Sequence, residues 1–208
     1  PKMFVFENVP GMLTAKKGLI WKRIQQRLKT VGYHIEYKLV NSHDFGVLQN
    51  RKRVIIIGWR KDYDLRYPNF PQVEIKGIVN DLLNDLPKLE PGQENNEYEK
   101  NPSEYLTVTG IRKSNDVLTD HQTRNIREVD RNIYRIAIQM WNNKHGRLRY
   151  TDLPKELQFH NNKTSFLDRF KVVEGDMECA HTMLAHIAKD GHYYICLLYT
   201  SPSPRDTE

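Results

Sequence analysis

The sequence predicts an α/β fold: residues 1–60 form part of a doubly wound sheet, and an irregular polar module follows. Three observations carry this. Met3-Phe4-Val5-Phe6 is a short apolar run that breaks off into Glu7-Asn8-Val9-Pro10-Gly11. An amphipathic stretch with helical spacing comes next. Val54-Ile55-Ile56-Ile57 is then β-branched, apolar on both faces and closed by Gly58. Strands apolar on both faces belong to sheets covered by helices.

The elements follow in order. Lys2 to Val9 reads as a buried strand ending in a Pro-Gly turn. Charged and amide side chains at the end of such a strand are unusual, and open α/β sheets build their sites at that edge. Ile20, Ile24, Leu28 and Val31 fall on one helical face, with Lys22, Arg23, Gln26, Arg27 and Lys29 elsewhere. Gly32 is placed to end the helix. Tyr33, Ile35, Tyr37 and Leu39 alternate with His34, Glu36 and Lys38, which is a strand pattern. Strand, helix, strand, loop and strand make half of a doubly wound sheet, so a parallel sheet is expected through Arg60.

Beyond Trp59 the character changes. Tyr63 to Pro71 reads as loop, and Ile78 to Leu86 as a short helix stopped by Pro87. Leu89 to Glu104 is polar and reads as an exposed loop. Arg124 to Trp141 is a helix with Ile126, Val129, Ile133, Ile136, Ala137 and Met140 on one face. Asp152-Leu153-Pro154-Lys155-Glu156 reads as a helix start. Met183 to Ile187, turning at Asp190-Gly191 into His192 to Ile195, reads as a hairpin. There is no internal repeat. Residues 196–208 run into a Ser/Pro stretch resembling a translated sequencing-library adapter, and are expected to be an artefactual tail.

The chain of 208 residues carries a formal net charge of +6 and a pI near 9.2, a balance suited to a polyanionic partner such as nucleic acid. No apolar run reaches the roughly 18 residues of a membrane span, and no signal peptide is visible. The first residue is Pro1, which reads as a chain whose start is missing. Cys179 and Cys196 are too few for a disulfide framework and suit a reducing cytoplasm. His121, His181, His186 and His192 have no Cys or carboxylate partner at ligand spacing, so no metal is expected.

Two constellations carry chemistry. The first is Phe6-Glu7-Asn8-Val9 at a strand end; alone it would read as a turn-forming pair. The second is Asp44-Phe45-Gly46-Val47-Leu48-Gln49-Asn50-Arg51-Lys52-Arg53, running into the Val54 strand; alone it would read as a basic solvated loop. In this order, about forty residues apart and with a helix and a strand between, they resemble the DNA cytosine-5 methyltransferases. That family has an F-x-x-E-N-V block and a D-F-G-x-x-Q-x-R-x-R-V block, and both stand here without gaps. The resemblance covers Pro1 to Ile195.

The resemblance implies the second half of a doubly wound, Rossmann-like, S-adenosylmethionine-dependent methyltransferase sheet. Residues 1–60 would be catalytic and residues 61–195 would form a small irregular target-recognition domain. It implies methyl transfer to C5 of a cytosine flipped out of a specific short double-stranded DNA site, in a restriction-modification system. A cysteine thiolate adds to C6 and negative charge builds near N3, where a carboxyl group stabilises the adduct. By resemblance that carboxyl is Glu7. Arg53 holds the base, Arg51 and Gln49 support the site, and Asn8 faces DNA. The resemblance further implies a monomeric enzyme of a prokaryotic cytoplasm. In the second half, Asn161, Asn162 and Lys163 are candidate base readers, with Arg169 and Lys171 following them, and Arg147 and Arg149 are candidate phosphate contacts.

The chain departs from the family pattern in lacking the Pro-Cys-Gln loop, the Gly-rich cofactor loop and the closing motifs. Cys179 and Cys196 do not sit in the nucleophile's setting. The cofactor loop is expected in a missing N-terminal part, and this chain alone is expected to be inactive. A second reading is a catalytically inactive DNA-binding relative, which an upstream sequence without the cysteine loop would favour.

Overall fold

A computed structural model describes residues 1–144, 146–165, 167–183 and 193–196. The chain divides into two compact units, Pro1–Ile75 and the residues from Lys76 on.

In the first unit, β1 (Met3–Asn8) leads through a short helix α1 (Gly11–Thr14) to α2 (Leu19–Thr30) and then β2 (Tyr33–Asn41). A two-residue strand, β3 (Gln49–Asn50), precedes β4 (Lys52–Arg60). The sheet order is β1-β4-β2, and β4 is antiparallel to both neighbours. β1 and β2 therefore run the same way, joined through α2 as in an α/β fold, with β4 inserted between them. This corrects the expectation of a parallel sheet through Arg60. The cause is the connection from Ser42 to Arg51, which is shorter than the dozen or more residues that a parallel crossover needs. The chain can only turn back alongside β2.

The face of α2 also differs from the periodicity. Trp21 is buried while Ile20 and Val31 are 37% and 62% exposed. Trp21, Ile24 and Leu28 satisfy the same helical spacing. The larger ring takes the inward position, stacking edge-on against Tyr37 at 5.2 Å between centroids. Trp21, Val54 and Ile56 form the core, with Phe4, Met12, Leu13, Ile24 and Ile35 packed around it. Gly58 is required there: a Cβ at this position would lie 2.2 Å from the Phe4 ring. On the other side of the chain path, Tyr67 donates its hydroxyl to the Ile55 carbonyl at 2.8 Å. Phe45, Phe70 and Tyr67 stack edge to face.

The second unit begins with two short helices, α3 (Val79–Leu83) and α4 (Glu104–Val108). α4 falls at the end of the stretch read as loop; Ser103 caps it by accepting from the Leu106 N–H at 3.2 Å. The long helix α5 (Glu128–Lys144) follows, then β5 (Phe170–Val173), β6 (Ala180–His181) and β7 (Tyr193–Cys196). β5 and β7 pair in parallel, so Cys196 belongs to a buried strand end. The expected hairpin turn at Asp190-Gly191 and the tail residues 197–208 lie outside the described residues. Asp152 to Glu156 is not the start of an α-helix. It forms two 3-10 turns, Tyr150–Asp152 and Lys155–Leu157, because no apolar periodicity continues past Leu157 to bury a further turn. One core joins Ile133, Ala137 and Trp141 of α5 to Leu148, Tyr150, Leu153, Phe170 and Val172. A second gathers Val79, Leu83, Leu86, Leu118, Val173 and Tyr194.

Candidate functional site

Glu7 lies opposite Ile55 in the β1–β4 ladder. Side chains two apart on a strand share a face, so Arg53 is the diagonal neighbour of Glu7. The Arg53 Nε stands 2.6 Å from the Glu7 Oε1, with the arginine side chain 17% and the carboxylate 50% exposed. The arginine also donates from Nη1 to the Lys52 carbonyl at 2.8 Å. A guanidinium fixed twice presents the carboxylate in a defined orientation while leaving it open to solvent. Only Oε1 of Glu7 is engaged among the described residues.

The neighbouring residues hold this strand end in shape. The Asn8 Oδ1 accepts from the Val9 N–H at 2.8 Å, fixing the turn out of β1. Gly46 is buried with φ +79, and a Cβ there would stand 3.0 Å from the side chain of Ile75. Ser42 was not among the residues singled out from sequence. Its hydroxyl donates to the Gln49 carbonyl at 2.6 Å and its N–H to the Arg51 carbonyl at 3.0 Å. It thereby clamps both ends of the segment that delivers Gln49, Arg51 and Arg53. Nothing local in the sequence marks it, since its partners lie across a loop. The Asn41 Oδ1 and the His43 Nδ1, flanking Ser42, are buried without a hydrogen-bond partner among the described residues.

In the second unit the Asn-rich loop is pinned rather than loose. The Tyr150 hydroxyl accepts from the His160 N–H at 2.5 Å. The buried Arg169 guanidinium lies 4.2 Å from the Tyr150 ring centroid and donates to the Asn162 carbonyl at 3.4 Å. Asn161 and Lys163 are exposed. The Asn162 side chain instead builds its own turn, accepting from the N–H groups of Thr164 and Ser165 at 3.1 and 3.0 Å. Arg169 is buried and serves this loop as an anchor, which removes it from the candidate DNA contacts. Lys171 pairs with Asp168. Arg147 and Arg149 are exposed on the segment after α5. His121 is buried, its Nε2 against the Pro87 carbonyl at 2.9 Å.

The cysteines do not form a nucleophilic site. Burial, and then the Glu178 carboxylate, push the Cys179 thiol above its usual range, opposite to an activated thiolate. Cys196 is buried. Among the described residues, no group of three or more His, Cys, Asp or Glu side chains is placed to hold a metal ion. No described helix is long and apolar enough to cross a membrane.

Against the expectation of a buried strand, β1 is largely exposed, with Met3, Val5 and Phe6 52%, 62% and 47% exposed. Its apolar run still leads into the Glu-Asn turn, where an arginine from the adjacent antiparallel strand stands on the glutamate of an α/β sheet. The profile of the C-5 cytosine-specific DNA methylases matches residues 1–187, and the chain belongs to that family. It is 38% identical over 218 aligned residues to the type II methyltransferase M.Bpa9945I of Bacillus paralicheniformis, covering 94% of this chain and 48% of that protein. It is 37% identical over 115 residues to the type II methyltransferase M.MthTI of Methanothermobacter thermautotrophicus, covering 52% of this chain and 34% of that protein. The S. pombe Dnmt2 methyltransferase is a loose structural likeness, with a TM-score of 0.37 and 11% identity over 91% of this chain and 40% of that one. The chain thus spans about half the length, or less, of the curated relatives it matches.

The family implies S-adenosylmethionine as methyl donor. Among the described residues, the turn at the end of β1 does not fit it. The strand-to-helix turn Asn8-Val9-Pro10-Gly11 has one glycine, and Pro10 offers no N–H toward a ligand.

Proposed function

We propose that the intact protein methylates C5 of a cytosine flipped out of a specific short duplex site, as the modification half of a restriction-modification system. The observation that carries this is the 2.6 Å contact between Arg53 and Glu7 at the edge where β1 ends and β4 begins. Family membership and relatives named as type II methyltransferases support it.

In this reading the free oxygen of Glu7 meets N3 of the flipped base, donating or sharing a proton as negative charge builds on the ring. Arg53 orients that carboxyl group and reaches the cytosine O2 with its remaining donors. Ser42 keeps Gln49 and Arg51 in register beside it. The nucleophilic thiolate and the donor site belong, by the family's pattern, to other parts of the intact protein. Residues 1–60 then serve the chemistry, and residues 61–195 choose the sequence. Asn161 and Lys163 are the base readers, Asn162 builds their turn, and Arg147 and Arg149 contact phosphates.

The test is incubation of the full-length protein with labelled S-adenosylmethionine and unmethylated duplex DNA. Label should appear as 5-methylcytosine at one short sequence. Label on adenine, on the N4 of cytosine, or on no base at all refutes the proposal.

A further inference from the structure

Six of the chain's 32 lysines and arginines lie between Asn8 and Ile35: Lys16, Lys17, Lys22, Arg23, Arg27 and Lys29. No Asp or Glu lies there. The basic residues elsewhere equal in number the chain's 26 acidic ones, so this stretch accounts for the whole formal charge of +6. All six are exposed. Among the described residues none forms an ion pair.

An ordinary solvated helix does not look like this. On α5, Arg131 and Arg135 stand 3.8 and 3.5 Å from Glu128, and Arg127, just before the helix, stands 2.8 Å from Asp130. On α2, Arg23 and Arg27 repeat one turn apart with no carboxylate between them. Like charges at that spacing destabilise a helix, so the fold gains nothing from the arrangement. An anionic ligand would reverse the sign of that interaction.

The geometry suits an extended anion. Arg23, Ile24, Gln26, Arg27 and Thr30 line a shallow cleft of about 550 Å³. Lys16 and Lys17 precede α2 with φ of 48° and 56°, beside Gly18 at 80°. Lysine adopts this left-handed conformation sparingly. Lys61 donates its ammonium to the Lys29 carbonyl at 3.2 Å, adding a further cation at the far end of the helix. The helix is about 18 Å long, which is roughly five base-pair steps of duplex. Its approach loop leaves the sheet at Asn8, the residue after Glu7, and α2 then packs on the sheet face of Phe4, Val54 and Ile56, the face opposite that of Glu7 and Arg53.

We propose that the Lys16–Lys29 face is a sequence-independent contact for the phosphate backbone of duplex DNA flanking the methylated site, made by the first unit itself. This inference rests on the DNA-methylating function proposed above.

The test uses the intact protein and two duplexes, one carrying the recognised site alone and one extended on both flanks. The variant is Lys16→Gln, Lys17→Gln, Arg23→Gln and Arg27→Gln together. On the extended duplex its affinity should depend less on salt, the log–log slope falling by roughly 0.9 for each phosphate no longer neutralised, alike for cognate and scrambled sequences. On the short duplex the two proteins should match. A charge-keeping variant, Lys16→Arg, Lys17→Arg, Arg23→Lys and Arg27→Lys, should retain the wild-type slope, and circular dichroism should show α2 intact in both. An unchanged slope on the extended duplex, in a protein that still methylates DNA, overturns this inference alone. Binding to anionic vesicles but not to the extended flanks also overturns it. Failure to bind any duplex overturns both readings.

Discussion

Glu7→Gln separates chemistry from architecture. The Glu7 side chain is half exposed and its Arg53 partner mostly covered. A partly exposed ion pair of this kind contributes about 0–1 kcal/mol to stability. In the intact protein the substitution should therefore move the midpoint of thermal unfolding by no more than about 2–4 °C, the scale for a loss of that size in about 150–250 residues and an upper bound for a longer chain. The amide keeps the shape and can still accept from Arg53, but it cannot give a proton to N3. Methyl transfer should fall by about 10²-fold or more, roughly 2.7 kcal/mol of transition-state stabilisation. The two magnitudes differ enough to be told apart by labelled methyl incorporation and melting on the same preparation. Arg53→Lys should also lower turnover, because a point charge replaces the guanidinium fork. The double variant should fall little beyond the worse single one, since the two groups act as a unit. Wild-type turnover in Glu7→Gln, with DNA binding intact, would refute the role. So would a loss of activity that simply tracks unfolding.

Three further outcomes follow from the structure. Asp85 is fully buried and stands 2.6 Å from the buried Arg112, whose guanidinium also covers the Tyr98 ring at 3.3 Å. Asp85→Ala should destabilise the second unit by about 3–5 kcal/mol in denaturant unfolding, and a cost below about 1 kcal/mol would mean the stacked arginine does not need its carboxylate. Gly58→Ala would drive a methyl group into Phe4, costing about 1–3 kcal/mol, and Phe4→Leu should recover part of it; an additive double variant would deny the contact. Substituting Asn161 or Lys163 should relax the methylated sequence by roughly 1–3 kcal/mol for each bidentate pairing with a base, while Arg147 or Arg149 should weaken all sequences alike; bisulfite mapping that shows the reverse ranking would exchange the two assignments.

What could be read in advance was what repeats locally. The apolar runs at Met3 and Val54 and the spacing of Ile24 and Leu28 fixed the element types, and the Glu-Asn and Gln-x-Arg-x-Arg blocks fixed the candidate site. The inward face of α2 was not decided by spacing, because Ile20 and Trp21 both fit it; contact with Tyr37 on β2 made the choice. Ser42 and Tyr67 act through backbone groups seven and twelve residues away, which no local pattern records. In the second unit the interactions that hold the loops are single buried side chains, Arg112, Tyr150 and Arg169, in stretches with no periodicity. Composition alone reads such stretches as exposed and polar.

The direction of β4 is the step on which the site depends. Glu7 sits near the end of β1 and Arg53 near the start of β4. Antiparallel pairing sets the end of one strand beside the start of the other, as in the register Asn8 to Val54 and Met3 to Trp59. Had β4 run parallel to β1, Arg53 would lie beside Met3. At about 3.3 Å per residue that is more than 10 Å from Glu7, beyond the reach of an arginine side chain to form this ion pair. The ten residues from Ser42 to Arg51, too few for a crossover and clamped by the Ser42 hydroxyl, force the reversal. The second motif block thus does two things at once: it carries the arginine, and by its length it turns the chain so that the arginine meets the glutamate of the first block. Lengthening this connection with a flexible insertion between Gly46 and Leu48 should loosen the placement of Arg53 and lower methyl transfer, while β1, β2 and α2, which pair and pack through Val54 and Ile56, stay folded.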